Sequence, residues 1–364
     1  MAGSGGNPSS SVSHQAPKIL LAKPGVVNKL NRPRVGSVNL LSDTFDFQTD
    51  RFLPFVTDNT EFTVVGIIGP PGVGKSTIMN EIYGGFDHPY PFPTHTQETR
   101  AMGKHCTVGI EPRVIPSERI ILLDTQPVFS PSVLAEMIRR PDGELGHEMM
   151  SIQLGVLLSS ICHVTLVVSD GLNDASMWQL MSTVDLLKHG IPDPSLTTLD
   201  NNTGQEYMSR PVFVHTTTTE HVAPSNIAQL NKALTQFICS DNFKLFVIPF
   251  RNNKDEAQYE SHISALWNLR DQVLSMRVPT FSRTVSERDW LKNSAKIWEI
   301  IRNSPIIADY STTLQTSGMF RRVEDSRQCI LTGQVSLMKL SLQQIQALPI
   351  EDLKCPRIVA AVGL

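Results

Sequence analysis

Apolar and polar positions alternate in blocks through the middle of the chain, in the order expected of an α/β sheet. Phe62 to Ile68 is a β-branched apolar run ending in glycine and predicts a buried strand; Lys75 to Tyr83 predicts a helix. Arg119–Asp124, His163–Val168, Pro211–Val214 and Lys244–Pro249 predict further strands. Between them Ser132–Arg139, Gly146–Ser160, Asp174–Lys188 and Ser225–Ile238 carry helical patterns, and Asp174–Lys188 places Trp178, Met181, Val184 and Leu187 on one face. Two helices follow: Asp255–Met276, with Ile263, Leu266, Leu269 and Val273 on one stripe, and Ser286–Ile301, which Pro305 ends. The pattern predicts a mostly parallel sheet flanked by helices.

The ends are less regular. Residues 1–40 are rich in Ser, Gly, Asn and Pro, carry Lys18, Lys23, Lys29, Arg32 and Arg34 with no acid, and read as a disordered basic tail. The domain is expected over 41–279, with the aromatics of Phe45–Phe55 lying against it. Residues 280–316 read as appended helices that pack on the domain or on a partner, and 317–364 as a tail in which Gln334–Leu348 could form an amphipathic helix. Residues 87–100, full of Pro, Thr and His, read as a loop, and residues 190–210, rich in Pro, Asn, Thr and Gly, as a mobile surface loop.

Composition narrows the function. With 364 residues, 40% hydrophobic and 18% charged, the chain can bury a large core. A net charge of −3 gives no general attraction to nucleic acid or acidic membranes, so direct RNA binding is not expected. The five cysteines form no CxxC pair, which argues against zinc and against a disulfide framework. No secretory signal is visible, and the most apolar stretch, Ile152–Val168, is broken by Gln153, Ser159, Ser160 and His163. A cytoplasmic location is the expectation.

The candidate chemistry sits after the first strand. Gly69-Pro70-Pro71-Gly72-Val73-Gly74-Lys75-Ser76 matches G-x-x-x-x-G-K-[ST] in a strand–loop–helix context. Glycines let backbone N–H groups, including that of Val73, converge on phosphate oxygens, and the helix N-terminus adds a positive field. Lys75 neutralises β- and γ-phosphate charge, Ser76 offers its hydroxyl to Mg²⁺, and Thr77 follows in the same turn. Asp124, closing Arg119–Asp124, is placed to hold Mg²⁺. Thr107, in Cys106-Thr107-Val108-Gly109-Ile110, stands where small GTPases place a switch threonine that completes the metal shell. The fold class is therefore a small GTPase-like P-loop NTPase with a purine nucleotide (GDP/GTP or ADP/ATP) and Mg²⁺ as cofactors.

The hydrolytic and base-reading motifs are degraded. Where a GTPase reads D-x-x-G, this chain has Asp124-Thr125-Gln126-Pro127; Pro127 lacks the N–H that would reach a γ-phosphate, and Gln126 is out of register for orienting water. After Pro211–Val214 comes His215-Thr216-Thr217, with no Asn-Lys pair and no Asp, so guanine specificity is not encoded in the usual way. Thr216 and Arg251 are the remaining candidates near a base. A nucleotide-binding interaction subunit is the reading preferred over an active NTPase completed by a partner, and over a small-molecule kinase, for which no Arg-rich lid is present.

Four segments together are distinctive: Ile121-Leu122-Leu123-Asp124-Thr125-Gln126-Pro127-Val128-Phe129-Ser130-Pro131-Ser132, Ile161-Cys162-His163-Val164-Thr165-Leu166-Val167-Val168, Val273-Leu274-Ser275-Met276, and the pair Trp290 and Trp298. With the P-loop they resemble the family of the ninth SMG factor of nonsense-mediated mRNA decay, over roughly residues 50 to 316. The resemblance implies a degenerate G domain that pairs with a second G-domain protein, the eighth SMG factor. It also implies that the pair regulates the SMG phosphatidylinositol-3-kinase-related kinase as a scaffold.

Overall fold

The computed structural model describes residues 38–84, 90–94, 96, 104–137, 143–171, 174–192, 207–216, 224–238, 244–249, 256–276, 281 and 284–317. Its centre is a six-stranded sheet of β1 (Thr63–Ile68), β2 (Ile110–Ile115), β3 (Ile120–Thr125), β4 (Val164–Asp170), β5 (Arg210–Thr216) and β6 (Lys244–Ile248), in the order β2-β3-β1-β4-β5-β6. Only β2 runs antiparallel, pairing Ile110 with Thr125 and Glu111 with Asp124. β1 lies between β3 and β4, so the chain leaves it toward one side of the sheet and later returns on the other. The carboxyl end of β1 is thus the topological switch point, where ligands bind in open α/β sheets. The mostly parallel α/β architecture expected from the sequence is present.

Alternation along the strands builds two cores. Val64 and Ile68 of β1, with Ile121, Leu123, Val167 and Phe213, face a layer made by α4 (Gly143–Ile161), α5 (Ala175–Lys188) and α6 (Pro224–Ile238). Val65 and Ile67, with Leu122, Leu166, Val168 and Val214, face α2 (Lys75–Tyr83) and α7 (Glu256–Ser275). A strand buried on both faces reads as a continuous apolar run, which is why β1, β3 and β4 were visible in the sequence. No described helix is long and apolar enough to cross a membrane.

The helices after α7 pack on the same body. α8 (Glu287–Arg302) is capped by Ser286, whose hydroxyl oxygen accepts from the Asp289 amide. Glu287 is 1% exposed; its Oε2 accepts from the Thr57 amide at 2.6 Å and the Thr57 hydroxyl at 2.8 Å, and Arg119 lies 3.6 Å from its Oε1. Trp290 Nε1 donates to the Ile161 carbonyl and Trp298 Nε1 to the Phe45 carbonyl, both at 2.8 Å. Ile307 and Leu314 of α9 (Pro305–Thr316) complete the core on that face.

Four expectations are corrected. β2 was not foreseen: its IEPRVI sequence hides an edge strand behind Glu111, Pro112 and Arg113, and the charges are accommodated by a 3.4 Å Arg113–Glu111 ion pair and by Arg113 lying over the Phe92 ring. Pro305 opens a helix as well as following one, because Ser304 caps it and proline suits the first helical turn. The ordered fold begins before residue 41: Leu40 is fully buried, and its amide donates to the Ile110 carbonyl at 2.7 Å. The end of the 190–210 loop is packed, since buried Tyr207 donates its hydroxyl to the Cys162 carbonyl at 2.7 Å. The tail readings for residues 1–37 and 318–364 fall outside the described residues.

Residues 38–48 form a strap along the free edge of β2. The Ile110 amide donates to the Leu41 carbonyl at 3.1 Å, the Gln48 amide to the Leu40 carbonyl at 2.8 Å, and Asn39 Nδ2 to the Val108 carbonyl at 3.2 Å. The short helix α1 (Thr49–Phe52) follows and buries Phe52.

Candidate functional site

The P-loop connects β1 to α2 at the switch point. Gly74 caps α2 at φ +87° and Gly72 sits at φ +83°, both in the left-handed region that side chains resist. A Cβ on either would meet nothing within 4 Å, so these glycines are required by backbone conformation and the loop is open at both positions. Gly69 answers a different need: a Cβ there would lie 2.3 Å from the Val168 carbonyl oxygen on β4.

Ser76, Thr107 and Asp124, far apart in sequence, converge. The Ser76 hydroxyl donates to Asp124 Oδ2 at 2.7 Å, the Thr107 hydroxyl donates to the same oxygen at 2.9 Å, and the two hydroxyls are 3.5 Å apart. Asp124 is fully buried, and its Oδ1 has no protein partner. Two hydroxyls and a carboxylate with one uncommitted oxygen are a donor set of hard oxygens suited to Mg²⁺, which keeps several waters and takes few protein ligands. Lys75, 7% exposed, bridges the loop by donating from Nζ to the Pro70 carbonyl at 2.8 Å, leaving two ammonium protons for phosphate oxygens. Burial lowers its pKa to about 8, while Asp124 pulls it back up. Burial likewise raises the Asp124 carboxyl, against the Ser76 hydrogen bond, the nearby charge of Lys75 and the Thr107 hydrogen bond, which lower it.

Of the other residues singled out by sequence, Val73 is buried and Thr77 is exposed on α2. Thr216 ends β5 and donates its hydroxyl to the Ser169 carbonyl at 3.2 Å. Arg251 lies outside the described residues. His215 is buried, with Nδ1 shared between Ser169 Oγ and the Gly171 carbonyl.

Sequence reasoning missed how firmly the surrounding loops are tied. Gln126 is 3% exposed: its amide donates to the Gly109 carbonyl at 2.9 Å and its Oε1 accepts from the Gly109 amide at 2.8 Å. The Val128 amide donates to the Gly69 carbonyl at 3.1 Å. His105 Nδ1 and Ser132 Oγ are 3.0 Å apart, joining the Thr107 loop to the start of α3 (Pro131–Met137). The motif positions of Gln126 and Pro127 were the only hint; the partners come from distant segments.

The arrangement is a glycine-rich loop beside a carboxylate–hydroxyl cluster, with Gln126 bonded to Gly109. This chain is similar to nonsense-mediated mRNA decay factor SMG9. The Salmo salar SMG9 is 27% identical over 338 residues, covering 76% of this chain and 66% of the relative. The Xenopus tropicalis SMG9 is 28% identical over 341 residues, covering 76% and 67%. The Caenorhabditis elegans SMG9 is 27% identical over 188 residues, covering 46% and 48%. The chain therefore spans about two thirds of the length of the vertebrate SMG9 relatives. No protein-family model matches. A bacterial selenocysteine-specific elongation factor EF-Sec covers 59% of this chain and 29% of its own at 12% identity and a TM-score of 0.31, a likeness too slight to carry weight. The resemblance to the ninth SMG factor, drawn from its motifs, agrees with the SMG9 matches.

Proposed function

We propose that this chain is a nucleotide-binding, non-hydrolysing G-domain-like subunit of the nonsense-mediated mRNA decay machinery. In this reading it pairs with a second G-domain protein, the eighth SMG factor, and the pair regulates the SMG phosphatidylinositol-3-kinase-related kinase. The carrying observation is the convergence of Ser76, Thr107 and Asp124 beside Lys75 and the P-loop, in a chain similar to SMG9. Ser76 and Asp124, with Thr107, are the residues that would hold Mg²⁺, which when bound would supply positive charge to neutralise phosphate oxygens. Lys75 and the amides of residues 72–76 would hold the phosphates. Buried Gln126 supports binding without turnover, because its carboxamide is bonded to Gly109 and cannot orient water.

Mass spectrometry of nucleotide released from freshly purified protein tests the first half; the expected result is one purine di- or triphosphate per chain, and its disappearance in Lys75→Ala. Co-purification with the eighth SMG factor and single-turnover assays on the complex test the second half. Phosphate release that Lys75→Ala abolishes would instead identify an NTPase completed by its partner.

A further inference from the structure

We infer that this site does not distinguish nucleoside triphosphates from diphosphates: the segment 126–128 after Asp124 leaves no backbone donor for a γ-phosphate, and the Thr107 loop is held in place by protein contacts. The inference rests on the Mg²⁺–nucleotide reading above and adds which phosphates are read.

A γ-phosphate shifts a loop only through contacts whose energy differs with and without it. After Asp124, three successive residues run past the P-loop. The Gln126 amide is committed to the Gly109 carbonyl at 2.9 Å, Pro127 has no N–H, and the Val128 amide is committed to the Gly69 carbonyl at 3.1 Å. The Gln126 side chain is committed as well, accepting from the Gly109 amide and donating from Nε2 to Met150 Sδ. Reaching for a γ-oxygen from this segment would break buried backbone bonds, each costly to leave unmade.

The Thr107 loop is fastened from its other side. Gly109, at φ +62°, packs so closely on the strap that a Cβ would lie 1.9 Å from the Leu41 carbonyl oxygen. Asn39 holds the Val108 carbonyl, and Ile110 is paired with Leu40 and Leu41. The strap is itself held by the Trp298 indole on the Phe45 carbonyl, with the two rings 6.3 Å apart. Thr107 therefore reaches Asp124 through protein contacts, and its position does not depend on a terminal phosphate. Lys75 remains as a point charge shared by neighbouring phosphates, a weak discriminator.

The test is calorimetric titration of the full chain, stripped of nucleotide, with Mg²⁺ and each of GDP, GTP, ADP and ATP. For any base that binds, the diphosphate and triphosphate dissociation constants are expected to agree within about tenfold. Amide exchange at residues 104–110 and 126–129 should be protected equally by both. A triphosphate preference above about tenfold, or protection of these loops by the triphosphate alone, overturns the inference. No binding by any of the four overturns the nucleotide reading itself, an outcome distinct from unequal binding. Pro127→Gly restores one N–H and is expected to move the ratio toward the triphosphate; an unchanged ratio in folded Pro127→Gly removes the role given to Pro127. Should that variant not fold, the wild-type titration decides alone.

Discussion

Burial pushes Lys75 and Asp124 toward their neutral forms, and each holds the other charged. The sign for Lys75 follows from a folded-state value of about 8 against an ordinary 10.5. Stability from the neutral amine is full above 10.5 and is lost as pH falls to 8, so at pH 7 the buried ammonium is a net cost to the free protein. Phosphate oxygens relieve that cost only while the amine carries its proton. Affinity for Mg²⁺-polyphosphate, measured by titration, is therefore expected to fall as pH rises through about 8, and Lys75→Met should abolish that dependence. Ser76→Ala and Lys75→Ala should each reduce the thermal stabilisation given by Mg²⁺-nucleotide, more than they change the melting point without it. Equal shifts in both conditions would make the loop merely structural.

Elements differ in how they depend on distant sequence. Helices α2, α5 and α8 announce themselves by period, and the caps Asp174 and Ser286 lie where helix starts were expected. β2 and the strap do not, because their stability comes from pairing with one another and from a buried ion pair that composition disguises. Gly109→Ala is predicted to detach the strap: the added methyl has no space at Leu41 and the left-handed backbone is strained, a loss of at least ~2 kcal/mol. Urea melts, with Trp298 fluorescence reporting the strap, would show it; an unchanged midpoint would mean the strap yields easily. Glu287→Ala leaves the Thr57 amide and hydroxyl without their acceptor and should cost about 2–3 kcal/mol by the same measurement.

At the scale of the molecule, α8 and α9 are part of the core they cover. Trp290, Leu291, Trp298 and Ile301 are buried against the same cluster as Ile152, Leu158 and Ile161 of α4. A chain ending at Met276 should expose that surface and aggregate on a sizing column, whereas a soluble monomer would show that the helices are dispensable. Three histidines set the acid limit. Burial lowers His147, His163 and His215 to about 4. His163 Nδ1 accepts from the Val64 amide at 2.9 Å, a bond that protonation there would break. Each histidine stabilises fully above its ordinary value of 6.5, and that contribution is lost between 6.5 and 4, on the order of 3 kcal/mol per group. Thermal melts should drop steeply across that window.

The sequence by itself determined the strand–loop–helix of residues 62–83, the alternation that gives a two-faced sheet, and the identities of Lys75, Ser76 and Asp124, because local spacing and backbone chemistry are written within a few neighbouring residues. It also disclosed, through Pro127, that an expected donor is missing. Only the tertiary structure decided that Thr107 and Ser76 share one oxygen of Asp124, that Gln126 is bonded to Gly109, and that residues 38–48 close the β2 edge. Those pairings join segments far apart along the chain, and their energy comes from burying each other's polar groups, which no local pattern records.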